Sequence, residues 1–188
     1  PSGFSLPSFA KINWHLRVLG KREDGFHELV TVFQTVSLHD TLHFEEADEL
    51  ELTCDDPTVP TDDRNLIIRA AKGLLEANRI EKGARIHLEK RIPSPGGLGG
   101  GSSNASVALH GLGHLWQLLM TGGGYRTIAR RLGSDVAYFA YGGTALGTGR
   151  GEVIEPIDER TEENVLIVTP PIGVSTEEAF AQINANAL

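Results

Sequence analysis

The sequence has little cysteine and no long apolar run, and each scarcity excludes a class of protein. Its single cysteine, Cys54, excludes an internal disulfide and any metal site built from several cysteines. No run approaches the ~20 apolar residues that a bilayer crossing requires, and the first residues lack the basic and apolar segments of a signal peptide. We therefore expect a cytoplasmic protein without membrane spans, in a compartment where thiols stay reduced.

Positive charge is also scarce, since 17 Lys and Arg face 25 Asp and Glu, for a formal net charge of -8. General binding to nucleic acids or anionic membranes needs a basic face, so neither partner is expected. A small phosphorylated ligand needs only a few local cations, and these can come from Lys11, Lys21, Arg22, Lys90 and Arg91. The seven histidines show no spacing typical of a transition-metal site.

The order of apolar periodicities predicts an α+β domain. Alternating apolar residues predict strands, and apolar residues three and four apart predict helices. Strands are expected at residues 9–19, 30–38, 41–45, 50–54, 84–92, 144–154 and 165–169. Helices are expected from Asn65, a good N-cap, from Ser102 to about residue 119, and at residues 125–132. With 188 residues, 40% of them apolar, the chain is long enough for one domain with a short extension.

The strongest chemical signal is a glycine-rich loop between a predicted strand and a predicted helix. Its residues are Pro93, Ser94, Pro95, Gly96, Gly97, Leu98, Gly99, Gly100, Gly101, Ser102 and Ser103. Glycine permits positive φ and carries no side chain, so successive N–H groups can close around an anion. The unpaired N–H groups and the dipole of the following helix also favour phosphate. The segment therefore predicts a polyphosphate site.

Three common phosphate-binding patterns do not fit this loop. The Walker pattern requires Lys followed by Ser or Thr after the last glycine, where this chain has Ser102 and Ser103. A dinucleotide fingerprint that starts at Gly97 requires glycine at position 102. The protein-kinase signatures HRD and DFG are absent from the sequence.

The loop resembles the second motif of the GHMP kinases, which has proline, a short spacer, Gly-Leu-Gly and then Ser-Ser. Further segments resemble one family among them, the kinases of 4-diphosphocytidyl-2-C-methyl-D-erythritol in the non-mevalonate isoprenoid pathway. These segments keep that family's order and are residues 7–13 (PSFAKIN), 24–29 (DGFHEL), 65–67 (NLI), 132–136 (LGSDV) and 174–176 (VST), followed by Phe180. One departure is Phe26, where that family usually has tyrosine.

The resemblance implies the two-layer, ribosomal-protein-like α+β sandwich of the GHMP-kinase N-terminal domain over residues 1–160. It implies that residues 161–188 begin a C-terminal substrate-side domain, most of which lies beyond this chain. The implied activity is phosphoryl transfer from ATP, with Mg²⁺, to the 2-hydroxyl of a small-molecule substrate that carries cytidine diphosphate. A monomer or a homodimer is expected.

The resemblance also assigns roles to individual residues. Asp135 is implied as the proton acceptor and Lys11 as the catalytic lysine. The implied ATP-binding residues are Asn65, Leu66, Ile67, Pro93, Gly96, Gly97, Leu98, Gly99, Gly100, Gly101, Ser102 and Ser103, and Ser103 is also a candidate ligand of Mg²⁺. The implied substrate-binding residues are Asn13, Phe26, His27, Thr176 and Phe180. The strand periodicity itself puts Lys11 and Asn13 on one face.

Two other functions fit the same residues. A different GHMP kinase would phosphorylate another alcohol, such as homoserine or mevalonate, although residues 25–29 with Thr176 and Phe180 favour the cytidyl substrate. A non-catalytic nucleotide-binding module would have lost the catalytic half of a kinase, although Lys11 and Asp135 are both present. Without the resemblance, Asp135 could equally cap a helix, and Lys11 could be a solvated charge.

Overall fold

The computed structural model describes residues 3–94, 96–119, 121–159 and 164–170, and residues 173, 179, 182 and 183. These residues form one mixed sheet with helices between its strands. The strands are β1 (Phe4–Lys21), β2 (His27–Glu45), β3 (Leu50–Cys54), β4 (Ala84–Glu89), β5 (Thr144–Thr148) and β6 (Val153–Pro156). The helices are α1 (Leu66–Asn78), α2 (Gly100–Leu115), α3 (Gly122–Leu132) and α4 (Ser134–Phe139). The predicted α+β class is confirmed.

The first two strands form a long antiparallel hairpin, paired from Phe4 with Phe44 to Lys21 with His27. The strand predicted at residues 9–19 therefore extends at both ends. The strands predicted separately at residues 30–38 and 41–45 are one continuous strand. They join because β1 pairs with β2 through this point, with Ser8 opposite Asp40 and Phe9 opposite His39.

β2 is the central strand of the sheet. β1 covers one of its edges, and two other strands share the opposite edge: β4 pairs with residues 41–45 and β5 with residues 31–34. Between these pairings, residues 35–40 of β2 face loops instead of a strand. Thr35 N donates to Gly143 O at 3.0 Å, and Asp40 accepts from the backbone that follows β4. On the outer edges, β3 runs parallel to β4 and β6 runs antiparallel to β5.

The helices pack on one face of the sheet, because apolar side chains alternate along the strands and line the helices at helical spacing. The main buried cluster combines Leu42, Phe44, Leu52, Ile86 and Leu88 of the strands with Ile67, Ile68, Leu74, Leu109, Leu112, Ile128 and Val136 of the helices. The opposite face is polar in this region. There, Ser5 Oγ lies 2.6 Å from His43 Nδ1, and Thr53 Oγ1 lies 2.8 Å from His87 Nδ1.

Helix α2 begins two residues earlier than predicted, at Gly100 instead of Ser102. Its N-cap is Gly99, whose φ of 70° turns the chain into the helix. The first turn of α2 is therefore built from glycines that the sequence pattern assigned to the loop. The helix ends at Leu115 instead of near residue 119, where the leucine is fully exposed.

The N-cap predicted at Asn65 is confirmed, because its Oδ1 accepts a hydrogen bond from Ile67 N at 2.9 Å. Helix α3 begins at Gly122 instead of residue 125. The side chain of Thr121 accepts a hydrogen bond from Gly124 N and caps the helix, which offsets the low helix propensity of the glycines.

Three further predicted strands differ from the observed structure. The strand at 84–92 ends at Glu89, and the strand at 144–154 is a hairpin of β5 and β6 with positive φ at Gly149 and Gly151. The strand predicted at 165–169 is wrong, because no strand includes these described residues. Leu166 and Val168 are 88% and 77% exposed, so among the described residues this apolar run lacks the neighbouring strand that would bury it. Among the described helices, none combines the length and apolar character of a membrane span.

Gly111 of α2 sets how closely this helix approaches the sheet, since a Cβ there would lie 2.4 Å from Phe44 Cζ. We expect Gly111→Ala to lower the free energy of unfolding by about 1–3 kcal/mol through overpacking. Gly101→Ala, on the same helix but facing open space, should raise it by up to about 1 kcal/mol through helix propensity. Urea denaturation measures both, and equal effects would contradict the close packing.

Candidate active site

The glycine-rich loop connects β4 to α2 and is fastened to β1. The register of β1 shifts between Phe9 and Lys11, and at this point Lys11 N donates a hydrogen bond to Leu98 O at 2.9 Å. Gly97 and Gly99 have φ of 66° and 70°, in the left-handed region. A Cβ at Gly99 would lie 2.9 Å from Phe139 Cε2 and 3.0 Å from Lys11 Cγ. Glycine at 99 is therefore required both by the backbone conformation and by close contact.

The first turn of α2 follows this loop directly, so the loop ends at a helix N-terminus. Ser103 N donates to Gly99 O at 2.8 Å as the first bond of the helix. The N–H groups of Gly100, Gly101 and Ser102 precede that bond and have no acceptor within the helix. Such donors, together with the helix dipole, favour a bound anion.

Lys11 brings the predicted catalytic residues together. It is 6% exposed, and its Nζ donates to Asn13 Oδ1 at 2.7 Å and lies 3.5 Å from Asp135 Oδ2. The ammonium also lies 5.6 Å from the centre of the Phe33 ring, which is a favourable cation–π arrangement. Asn13 Nδ2 in turn donates to Thr31 Oγ1 at 2.6 Å. Lys11, Asn13 and Asp135 therefore form one connected group beside the glycine loop.

Asp135 lies in the first turn of α4, and 37% of its side chain is exposed. It does not cap the helix, because the N-cap is Gly133. One of its oxygens faces Lys11, and the exposure leaves room for a ligand. A paired but accessible carboxylate is suited to accept a proton from a bound hydroxyl.

Sequence reasoning missed Tyr138, which fixes α4 to the sheet. Its ring is fully buried and stacks on Phe33 with centroids 4.5 Å apart. Its hydroxyl donates to Gly143 O at 2.7 Å and lies 2.8 Å from Thr35 Oγ1, which then donates to it. Burial is the main reason that the pKa of Tyr138 rises to about 12. Nothing in the local sequence distinguishes this tyrosine from an ordinary core residue.

Ser103, the candidate Mg²⁺ ligand, is 2% exposed, and its Oγ accepts a hydrogen bond from Ser8 Oγ at 2.8 Å. A Mg²⁺ ion needs oxygen ligands that it can reach together with water and phosphate. The buried Ser103 hydroxyl does not fit that requirement in this conformation. Among the described residues, no group of three or more His, Cys, Asp or Glu is arranged to hold a metal ion.

The predicted ATP-binding residues Asn65, Leu66 and Ile67 form the start of α1. Both ends of the Asn65 amide are used locally, because Nδ2 donates to Pro60 O at 2.7 Å while Oδ1 caps the helix. Ile67 is fully buried in the core, and Leu66 is partly buried. Asn65 and Ile67 therefore have clear structural roles, and their role in ATP binding stays a prediction.

The predicted substrate-binding residues Phe26 and His27 lie where the β1–β2 turn enters β2. Phe26 is 54% exposed, and the guanidinium of Arg150 lies 4.6 Å from its ring centre. Leu29 N donates to Gly149 O at 2.8 Å, which fastens the β5–β6 turn to this hairpin. Thr176 and Phe180, the other predicted substrate-binding residues, lie outside the described residues.

Sequence reasoning also missed Arg150. It lies in the β5–β6 turn between two glycines, and a cation flanked by glycines was the available signal. A Cβ at the following residue, Gly151, would lie 3.8 Å from Ser134 Cβ. Ser134 precedes Asp135, so the β5–β6 turn extends from the exposed ring of Phe26 to the region of the carboxylate.

Comparison with known proteins gives one consistent family. The model of the GHMP kinases N terminal domain matches residues 65–143. The 4-diphosphocytidyl-2-C-methyl-D-erythritol kinase of Protochlamydia amoebophila is 42% identical over 185 residues, which cover 97% of this chain and 64% of that protein. The chain thus spans less than two thirds of the length of this relative.

Solved structures show the same fold. A crystal structure of 4-(cytidine 5'-diphospho)-2C-methyl-D-erythritol kinase aligns with a TM-score of 0.71 at 40% identity, over 82% of this chain and 55% of that chain. The mevalonate kinase of Methanococcus jannaschii aligns with a TM-score of 0.63 at 15% identity, over 84% of this chain and 56% of that chain. At 15% identity the likeness concerns the fold alone.

The raised pKa of Tyr138 makes stability depend on pH in alkali. Between pH 10 and 12 the unfolded chain releases the phenolic proton while the folded chain keeps it, so the free energy of unfolding falls by about 1.4 kcal/mol per pH unit. We expect Tyr138→Phe to lack this contribution, and the exposed control Tyr141→Phe to retain it. Urea denaturation at pH 8 to 11.5 measures the slopes. Identical slopes in wild type and Tyr138→Phe would contradict burial of the phenol.

Proposed function

Because this chain belongs to the GHMP kinases, we propose that it forms the nucleotide-binding part of a kinase that acts on 4-diphosphocytidyl-2-C-methyl-D-erythritol. ATP would donate a phosphoryl group to the 2-hydroxyl, giving ADP and the 2-phosphate in non-mevalonate isoprenoid precursor biosynthesis. The observation that carries this proposal is the position of Lys11, which contacts the glycine loop at Gly99 and pairs with Asp135.

The phosphates of ATP bind against the glycine loop and the first turn of α2. Gly97 and Gly99 shape the backbone there, and the N–H groups of Gly100, Gly101 and Ser102 supply donors. These are local partial charges, so they attract phosphate even though the formal net charge of the chain is -8. The adenine side is assigned to the start of α1, at Asn65 and Leu66.

Transfer requires an oriented hydroxyl, a proton acceptor and stabilisation of the charge on the moving group. The 2-hydroxyl oxygen attacks the γ-phosphorus while its proton passes to the exposed carboxylate oxygen of Asp135, and ADP leaves. Lys11 stabilises negative charge on both the carboxylate and the transferred group. Its ammonium is suited to this because it is buried and is held in place by the hydrogen bond that it donates to Asn13.

We propose that Mg²⁺ binds together with ATP, coordinated by its phosphates, where it would neutralise negative charge. The buried hydroxyl of Ser103 is not assigned as its ligand, since that oxygen already accepts a hydrogen bond from Ser8. The steps assigned to Lys11 and Asp135 do not depend on where the ion lies.

The cytidine end of the substrate is assigned to the hairpin tip. The exposed ring of Phe26 offers a stacking face, and His27 follows it at the start of β2. Arg150 places a cation over the same ring and is suited to a diphosphate. Thr176 and Phe180 are also assigned to the cytidine site, as predictions from the sequence alone.

Two alternatives have less support. Another GHMP kinase, of the homoserine or mevalonate type, is disfavoured by the 42% identity to the cytidyl-alcohol kinase, against 15% to a mevalonate kinase. A non-catalytic nucleotide-binding module is disfavoured because Lys11 and Asp135 are paired and the Asp135 carboxylate is partly accessible. A cytoplasmic location and a monomeric or homodimeric state stay predictions from sequence.

We expect Asp135→Asn in the intact protein to lower turnover by about 10²-fold or more, because the proton of the attacking hydroxyl loses its acceptor. ATP affinity should change little, because the proposed phosphate donors are backbone N–H groups of the loop and α2 and not this carboxylate. The control is Asp63→Asn, which removes a carboxylate from a surface pair with Lys72 at 2.6 Å and should leave turnover unchanged. Steady-state kinetics measure both, and near-normal turnover of Asp135→Asn would rule out the assigned base.

The same kinetic assay tests the substrate. The cytidyl alcohol should be phosphorylated at the 2-hydroxyl, whereas homoserine and mevalonate should give no product above background. Phosphorylation of mevalonate instead of the cytidyl alcohol would establish the second alternative. ATP binding without transfer to any of the three alcohols would favour the non-catalytic module.

We expect Phe26→Ala to weaken binding of a cytidine diphosphate ligand by roughly 1–3 kcal/mol, the usual loss for an aromatic stacking surface. The matched control is Tyr141→Ala, which removes another exposed ring with an arginine, Arg126, 5.6 Å from its centre. Isothermal titration calorimetry measures both affinities. Equal losses in the two variants would mean that the hairpin tip is not the cytidine site.

A further inference from the structure

A fully buried carboxylate, Asp40, lies beneath the glycine loop and outside the group formed by Lys11, Asn13 and Asp135. It belongs to residues 35–40 of β2, where the strand edge faces loops instead of β4 or β5. A buried carboxylate is costly unless every oxygen is well bonded, so its partners indicate what it serves.

The carboxylate of Asp40 binds donors from two chain segments, residues 90–92 and Asn104. Oδ1 accepts from Arg91 N at 2.6 Å and from Ile92 N at 2.7 Å. Oδ2 accepts from Asn104 Nδ2 at 3.0 Å. The ammonium of Lys90, itself only 8% exposed, lies 3.1 Å from Oδ2 and completes the set. Both oxygens are therefore fully used.

These partners lie at the two ends of the glycine loop. Arg91 and Ile92 lead into the loop from β4, and Asn104 lies just after the loop, in the first turns of α2. The side chain of Ile92 also reaches the helix start, because a Cβ at Gly100 would lie 3.0 Å from Ile92 Cγ2. One carboxylate thus links the entry and the exit of the loop.

The cluster is not arranged for stability alone. Asp40 accepts hydrogen bonds only, so the amide of Asn104 must turn its nitrogen toward it. This leaves Asn104 Oδ1 buried without a hydrogen-bond partner among the described residues, which costs free energy. Apolar residues of similar volume commonly give equal or greater stability than a buried ion pair. A geometric role explains why a charged cluster occupies this position.

We propose that Asp40 is a positioning residue for phosphate binding: by holding both ends of the glycine loop, it keeps the loop N–H groups aimed at one point. The proposal rests on the proposed nucleotide-binding function. It concerns how the chain holds phosphate, and Asp40 itself, being fully buried, does not touch the ligand.

Asp40→Asn and Asn104→Ala in the intact protein test this role through two ligands, ATP and adenosine. Both variants should raise the Kd for ATP at least tenfold, because the phosphate donors are no longer held in register. The Kd for adenosine should stay within twofold, since adenosine lacks phosphates. The same variants should raise KM for ATP more than they lower kcat, and amide exchange should quicken at residues 97–103.

The matched control is Trp116→Phe, at the other end of α2. It removes a hydrogen bond from Trp116 Nε1 to Gly83 O at 2.9 Å, and so destabilises the same helix away from the loop. Its melting temperature should fall while its Kd for ATP stays within twofold of wild type. A loss of ATP affinity in Trp116→Phe equal to that in Asn104→Ala would show a general stability effect and overturn the proposal.

Unchanged ATP affinity in folded Asp40→Asn or Asn104→Ala would also overturn it, while leaving the proposed function intact. Should Asp40→Asn not fold, Asn104→Ala decides, since it keeps the other donors on Asp40. Failure of the wild-type protein to bind ATP would instead remove the proposed function, and this inference with it.

Discussion

The buried ammonium of Lys11 connects the parts of the molecule on which the site depends. Its strand, β1, supports the glycine loop through the hydrogen bond from Lys11 N to Leu98 O. Its side chain contacts the loop at Gly99 and pairs with Asp135 of α4. A charge that is 6% exposed must be compensated by fixed partners, so the positions of these elements are coupled to one another. The partners that make burial of the Lys11 ammonium tolerable are therefore also residues of the proposed active site.

The sheet makes this arrangement possible because its central strand is incompletely paired. Within the described part of the chain, residues 35–40 of β2 have no strand on one edge, and the loops before α2 and β5 attach there instead. Thr35 holds the loop at Gly143 together with Tyr138, and Asp40 holds the backbone at Ile92. Along residues 35–40, hydrogen bonds to these two loops therefore take the place of hydrogen bonds to a neighbouring strand. The regular part of the sheet, around Phe44 and Leu88, supplies the core.

The fold could be predicted best where a local signal agrees with the tertiary environment. The N-cap at Asn65 and the strand β3 follow from capping and alternation, and both are observed. Element ends were less predictable, since the start of α2 depends on Gly99 adopting a left-handed conformation against Lys11 and Phe139. The apolar run at residues 165–169 does not form a strand, because a strand requires a partner that a local pattern cannot supply.

The sequence by itself determined the chemistry that a short segment can encode. A run of glycines before Ser102 permits a close backbone approach to an anion, because it lacks Cβ atoms. Family motifs assigned Lys11 and Asp135, but only the tertiary structure brought them to 3.5 Å. The role of Tyr138 and the proposed role of Asp40 depend on tertiary structure alone. Each side chain is buried and forms hydrogen bonds with segments other than its own. A local sequence pattern cannot predict these hydrogen bonds, because they depend on which segments the fold brings together.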